Sequence, residues 1–190
     1  MRAPEEKVLI DGPSGKIELI IENPGAPRGI ALIGHPHPLF GGMNTNKVAH
    51  SLARTFVALG YCAFRPNFRG VGLSEGTHDE GRGETEDMLA VLEEARRRCG
   101  NLPVALAGFS FGGFVQTRVA KRLTEAGHPA QRLVLVGTAA GFVEGTRSYD
   151  TEAVPNDTIV IHGSADETVP LANVLKWAEP LELPVSVVPG

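Results

Sequence analysis

The sequence predicts an α/β fold: a mostly parallel sheet with helices on both faces. Three observations carry that expectation. Short continuous apolar runs at residues 29–34, 61–65, 104–107 and 133–136 read as strands buried on both faces. Segments with helical apolar spacing alternate with them, as a parallel sheet with crossover helices requires. Two apolar segments at the start enclose a turn and read as an antiparallel hairpin.

In chain order, residues 8–10 and 17–21 form that hairpin around Asp11-Gly12-Pro13-Ser14-Gly15. Gly12-Pro13-Ser14-Gly15-Lys16 resembles a phosphate loop only faintly, because the glycine spacing is incomplete and no helix follows. After a Pro/Gly turn at 23–27 come the strand 29–34, a rigid loop at 35–42 and a helix over 44–59. Val48, Leu52, Phe56 and Leu59 are the expected core face of that helix, and Gly60 its stop. The strand 61–65 leads into a glycine-rich loop at 66–76. The helix 85–99 then turns Met88, Leu89 and Leu92 inward. The strand 104–107 precedes a helix over 116–124, with Val115, Val119 and Leu123 on one face. Residues 133–136 are a strand. The stretch 138–156 has no strong period and reads as a loop with at most a short helix. A strand at 158–161, a loop at 162–170, a helix at 171–178 and a strand at 184–188 complete the chain.

Its 190 residues suffice for one domain with a sizeable core. A net charge of −4 gives no electrostatic case for nucleic acid or an anionic membrane. Arg96-Arg97-Arg98 follows Glu93-Glu94 and reads as the solvated end of a helix. Cys62 reads as a buried thiol and Cys99 as the end of a polar helix. Their spacing fits neither a metal site nor a redox pair, and suits a reducing cytoplasm. The first residues do not form a signal peptide, and no apolar stretch approaches a membrane span. Oligomeric state is left open.

Chemistry concentrates at Gly108-Phe109-Ser110-Phe111-Gly112, a G-x-S-x-G match. Taken alone, such a serine is usually an ordinary turn residue. Here a strand precedes it and a helix follows, which is the context of a nucleophile elbow. The residues two before and two after the serine have no Cβ, as a sharp turn requires. The helix N-terminus that follows favours developing negative charge. Loops at 35–40, 67–76, 108–112 and 162–170 each leave a strand at its carboxyl end, where open α/β sheets bind ligands.

With these residues the chain resembles the α/β-hydrolases, in the group of small bacterial enzymes similar to dienelactone hydrolases and short-chain esterases. The resemblance starts at Gly29 and runs to the end. It rests on His35-Pro36-His37-Pro38, on Asn67-Phe68-Arg69-Gly70-Val71-Gly72-Leu73-Ser74, on the elbow, and on the loop from His162 through Asp166 to Pro170. It implies the α/β-hydrolase fold, with about eight strands, an antiparallel start and no lid domain, since 138–156 is too short for one. It also implies Ser110 as nucleophile and Asp166 as the acid member of a triad. Asp166 also fits a turn or cap residue, and Asp150 and Glu152 are weaker substitutes.

An oxyanion hole needs two backbone N–H groups. Phe111 supplies one. In the 35–40 loop Pro36 and Pro38 have none, so His37 is favoured and Leu39 is next. His35 and His37 invite a metal reading, but no further ligand cluster appears in the other loops, so no metal is expected. His35 then reads as a loop organiser, and Arg69 as a tie between loop carbonyls. Phe40, Phe109 and Phe142 are expected to shape a modest apolar pocket for a small ester. No cofactor is implied.

The pattern breaks at the base. The resemblance requires a histidine after the last strand, and none of His35, His37, His50, His78, His128 and His162 lies there. Either residues 1–190 are a C-terminally incomplete α/β-hydrolase domain, or they are a natural short form with a dead triad. The first is preferred, because the last strand otherwise lacks its covering helix. The expected function is a serine hydrolase that cleaves a small carboxylic ester through an acyl-enzyme, with the 190-residue chain itself impaired. The alternatives are a non-catalytic binding protein of this fold and a peptidase of this fold, which would usually add a gating domain.

Overall fold

The antiparallel hairpin of β1 (Glu5–Gly12) and β2 (Gly15–Glu22) opens the chain in the computed structural model, which describes residues 3–143 and 147–189. Then strands and helices alternate: β3 (Gly29–Gly34), α1 (Lys47–Ala58), β4 (Tyr61–Pro66), α2 (Arg82–Cys99), β5 (Val104–Phe109), α3 (Phe111–Glu125) and β6 (Arg132–Val136). A short hairpin, β7 (Gly141–Val143) and β8 (Arg147–Tyr149), precedes β9 (Ile159–Gly163), α4 (Leu171–Ala178) and β10 (Val185–Val188). Eight strands form one sheet in the order β1-β2-β4-β3-β5-β6-β9-β10. The pairs from β4 to β10 are parallel, and β2 joins β4 antiparallel. The α/β-hydrolase fold expected from the sequence is the one observed.

From β3 the chain steps outward to β4, then returns to place β5 on the other flank of β3. That reversal opens a crevice at the carboxyl ends of β3 and β5. Gly34 and Gly108 are register partners there, so the loops that start at His35 and Ser110 leave the sheet side by side.

The two faces are packed differently. Leu32, Phe64, Leu106, Leu135 and Val160 point to one side, into a core shared with Met88 and Leu92 of α2, Val119 of α3 and Val174 of α4. The opposite side carries Ala31, Ala63, Ala105 and Ala107 under α1. This corrects the expected inward face of α1. Ala49, Ala53 and Phe56 are buried, whereas Val48 and Leu52 are only half-buried and Leu59 is 53% exposed. Small residues on both partners let the helix approach the sheet closely, and its rotation follows the alanines rather than the larger side chains.

Several boundaries also differ: α1 starts at Lys47 rather than 44, and α3 at Phe111 rather than 116. α2 starts at Arg82 rather than 85, because Glu84 accepts from the Gly81 N–H (2.9 Å) and Asp79 from the Gly83 N–H (3.0 Å), which caps the extra turn. The stretch expected as loop contains the β7–β8 hairpin, whose three-residue strands are too short to show a period. Residues 144–146, within that stretch, lie outside the described residues. Among the described residues no helix is long and apolar enough to cross a membrane.

A charged network joins the hairpin to the sheet. Arg65 is buried, 3.1 Å from Glu22 and 3.2 Å from Glu5, and it donates to the Asn44 carbonyl at 2.6 Å. Glu5, Glu22 and His50 bring ligand-type atoms together, but the Arg65 guanidinium already supplies a cation to both carboxylates. Removing it would leave Glu22 as a buried, unmatched charge. Arg65→Met should therefore cost about 3–5 kcal/mol in urea denaturation, and Glu5→Gln, at the exposed end, under about 1 kcal/mol.

Candidate active site

β5 runs straight into a turn whose tip is Ser110, at φ 54° and ψ −118°, and α3 begins at the next residue. A positive φ at a non-glycine residue costs on the order of 1–3 kcal/mol, so its surroundings must enforce it. They do so through backbone contact. A Cβ on Gly112 would overlap the backbone of Gly34 and His35, and one on Gly108 would overlap that of Gly112. The first turn of α3 thus lies directly on the ends of β3 and β5. The Ser110 N–H donates to Val136 O (2.9 Å), and its carbonyl accepts from Ala139 N (3.2 Å). Buried Gln116 donates to Leu32 O (2.9 Å) and Ala107 O (3.1 Å), tying α3 to the same two strands.

Three loops are fastened around this turn. His35 is fully buried. Its Nε2 accepts from the Phe68 N–H (2.9 Å) and its Nδ1 donates to Pro36 O (2.7 Å), so both ring nitrogens of this histidine are committed to backbone. That is the loop-organising arrangement expected of it. Burial pushes its imidazole down to about 4. The Phe111 ring packs 4.9 Å from His37 and 5.6 Å from Phe68, so the residue after Ser110 anchors the elbow to both neighbouring loops. Arg69 ties the glycine-rich loop to α2, with two hydrogen bonds of 2.7 Å to Asp87 and one of 2.9 Å to Gly83 O.

Ser110, Asp166, His37, Phe40, Phe109 and Arg147 line one cavity of about 470 Å³. Asp166 Oδ1 accepts from the N–H groups of Thr168 (3.0 Å) and Val169 (2.8 Å), so it does shape its own turn. Buried His162 bonds Val169 O at 2.8 Å and lies 3.7 Å from Asp166 Oδ2, supporting the loop from beneath. His37 Nδ1 accepts from the Leu39 N–H at 3.3 Å, and the N–H groups of Phe40 and Gly42 donate to His37 O. Leu39, the second choice for the oxyanion donor, therefore has its N–H turned to its own loop. Burial, then His78 and Arg147, hold the His37 imidazole down at about 4. Phe142 is 63% exposed on β7 and is not among the cavity-lining residues.

Among the described residues, no histidine hydrogen-bonds to both Ser110 and Asp166. His50 lies beside Glu5, His78 beside Glu84, and His128 at the far end of α3. Sequence reasoning also missed two participants. Arg147 comes to the cavity on the unpredicted β7–β8 hairpin, with its guanidinium 4.2 Å from the Phe40 ring centre. Gln116 is a buried polar residue in an apolar helix face, and that position was the available signal.

An elbow serine, a carboxylate on a later loop and an open crevice at the switch point define an α/β-hydrolase site. Residues 36–183 match the family described as the alpha/beta hydrolase fold, and the chain belongs to that family. An alpha-beta serine hydrolase homologue from Coxiella burnetii is 36% identical, with a TM-score of 0.83 over 97% of this chain and 87% of that one. A serine hydrolase without a lid from Xanthomonas campestris is 33% identical, with a TM-score of 0.84 over 100% and 84%. By sequence, an uncharacterized protein of Rickettsia prowazekii is 39% identical over 64% of this chain and 52% of its own length. The lysophosphatidylserine lipase ABHD12 of Gallus gallus is 33% identical over 62% of this chain and 32% of its own. The chain thus spans about half the length, or less, of these two relatives.

The His35 geometry predicts a pH dependence. Its folded value of about 4 lies below the ordinary 6.5, so between those limits the unfolded chain binds a proton that the folded one does not. The stabilisation is complete above pH 6.5 and is lost as pH falls towards 4. Urea titrations should show a loss of about 3 kcal/mol across this window from His35. In His35→Asn that slope should flatten, and an unchanged slope would contradict the assignment. His37, likewise held down at about 4, adds to the loss over the same window, so the comparison with His35→Asn isolates the His35 share.

Proposed function

We propose that the protein is a serine hydrolase that cleaves a small carboxylic ester through an acyl-enzyme. The observation that carries this reading is the strained Ser110 at the elbow tip, in one cavity with Asp166. Ser110 Oγ attacks the ester carbonyl while an imidazole removes its proton. The tetrahedral oxyanion is held by the N–H groups of Phe111 and His37. The carbonyl re-forms, and the alcohol leaves with the proton returned by the imidazole. Water, deprotonated by the same imidazole, then attacks the acyl-enzyme, releasing the acid and regenerating Ser110. Asp166 Oδ2 orients the imidazole and stabilises its charged form, while Oδ1 keeps the loop in shape.

Among the described residues no histidine hydrogen-bonds to both Ser110 and Asp166, so the imidazole is assigned to no residue. A cavity of about 470 Å³ supports a small ester, in line with the resemblance to short-chain esterases and dienelactone hydrolases. The buried free thiol of Cys62 supports a cytoplasmic location.

Hydrolysis of 4-nitrophenyl butyrate tests this. Asp166→Asn should lower kcat by roughly 10⁴-fold, and Ser110→Ala by at least as much. Turnover that Ser110→Ala leaves unchanged would contradict the reading, and a protein inert towards esters would favour a binding protein.

A further inference from the structure

We infer that His78 is a positioning residue for the oxyanion hole, its ring wedged against the side chains of both residues whose N–H groups form that hole. The inference rests on the hydrolase reading above and deepens it. The rings of His37, Phe111 and His78 close a triangle. Ring centres of His37 and His78 are 4.7 Å apart, those of His37 and Phe111 4.9 Å, and those of His78 and Phe111 5.2 Å. His37 lines the Ser110 cavity and His78 does not, so His78 reaches the reacting atoms only through its neighbours.

The His78 ring is itself held from behind. Its Nδ1 lies 2.9 Å from Glu84 Oε1, in contact but out of line for a hydrogen bond. Glu84 is fully buried, and its carboxylate accepts from the N–H groups of Asp79 and Gly81, each at 2.9 Å. The cap of α2 therefore sets where the carboxylate stands. The same turn is seated on α3: a Cβ on Gly81, at φ 93°, would meet the Phe114 ring at 2.6 Å. Phe114 packs in turn 6.0 Å from Phe111. A path of fixed contacts thus runs from the start of α2 to the two donors.

An oxyanion hole works only if its N–H groups are aimed before the charge develops. Phe111 is buried, so the place of its ring governs how the peptide after Ser110 can tilt. Pro36 and Pro38 stiffen the chain on both sides of His37, so a push on its ring moves its peptide instead of being absorbed by a soft backbone. Cutting the His78 ring back to a methyl group would leave a void against both side chains at once.

Kinetics with 4-nitrophenyl butyrate test this, with Ser110→Ala as the control for the hydrolase reading. His78→Ala should lower kcat about tenfold, less than the loss of a donor would, with KM held within about threefold. His78→Phe keeps a ring there, and Glu84 keeps both of its N–H partners, so this variant should recover most of the loss. Turnover that depends on Ser110 but has the same kcat in His78→Ala would overturn the inference. So would a change in KM alone, or a loss that His78→Phe does not recover. A second measurement needs no catalysis: NMR order parameters of the His37 and Phe111 amides. Values of about 0.85 in the parent should fall in His78→Ala and return in His78→Phe, with Val119 unmoved. Values that stay level at both amides overturn the inference. If no variant and no parent cleaves the ester, the hydrolase reading fails by itself, and the order parameters still decide this one.

Discussion

The contact on which the site depends is backbone against backbone: the first turn of α3 resting on the carboxyl ends of β3 and β5. Gly34, Gly108 and Gly112 meet there with no room for a Cβ. That approach holds Ser110 at a positive φ and lifts its side chain off the sheet. It also sets the loop beginning at His35 beside the elbow, because Gly34 and Gly108 are register partners. The cost of the strained serine is met by neighbours that cannot relax, with Gln116 and the Phe111 ring fixing the helix from opposite sides.

Around that contact the polar groups that shape the loops are mostly buried and matched. His35 spends both ring nitrogens on backbone, Arg69 closes the glycine-rich loop onto Asp87, and His162 supports the acid loop through Val169. Each does through a hydrogen bond what a longer loop would need a core of its own to do. The result is a rim made of four loops but rigid enough to hold a serine and a carboxylate over one cavity.

Most of this was legible in the chain. The parallel strands are apolar on both faces, so 29–34 and 104–107 stood out without their neighbours. Ser110 stood out because the elbow glycines have a local signature, whereas Asp166 was singled out through the resemblance that the 162–170 loop helps to carry. The rotation of α1 was not, since close packing on alanines overrides the larger residues that dominate a periodicity reading. Nor was the β7–β8 hairpin, whose strands are too short for a pattern, and with it went Arg147. Phe142, expected in the apolar pocket, lies on that hairpin and is 63% exposed outside the Ser110 cavity. The Arg65 network pairs residues from three separate segments, a relation no window along the chain contains.

The central claim is that folding alone makes Ser110 a privileged nucleophile. Labelling the folded chain with a fluorophosphonate and mapping the adduct by mass spectrometry tests it most directly. In triad enzymes stripped of one triad member, roughly 10³-fold or more of rate enhancement over water remains from the oxyanion hole and binding. The account predicts modification of Ser110 well ahead of every other serine, and loss of that preference in urea. Label spread over exposed serines such as Ser148 and Ser186, with Ser110 not favoured, would contradict it.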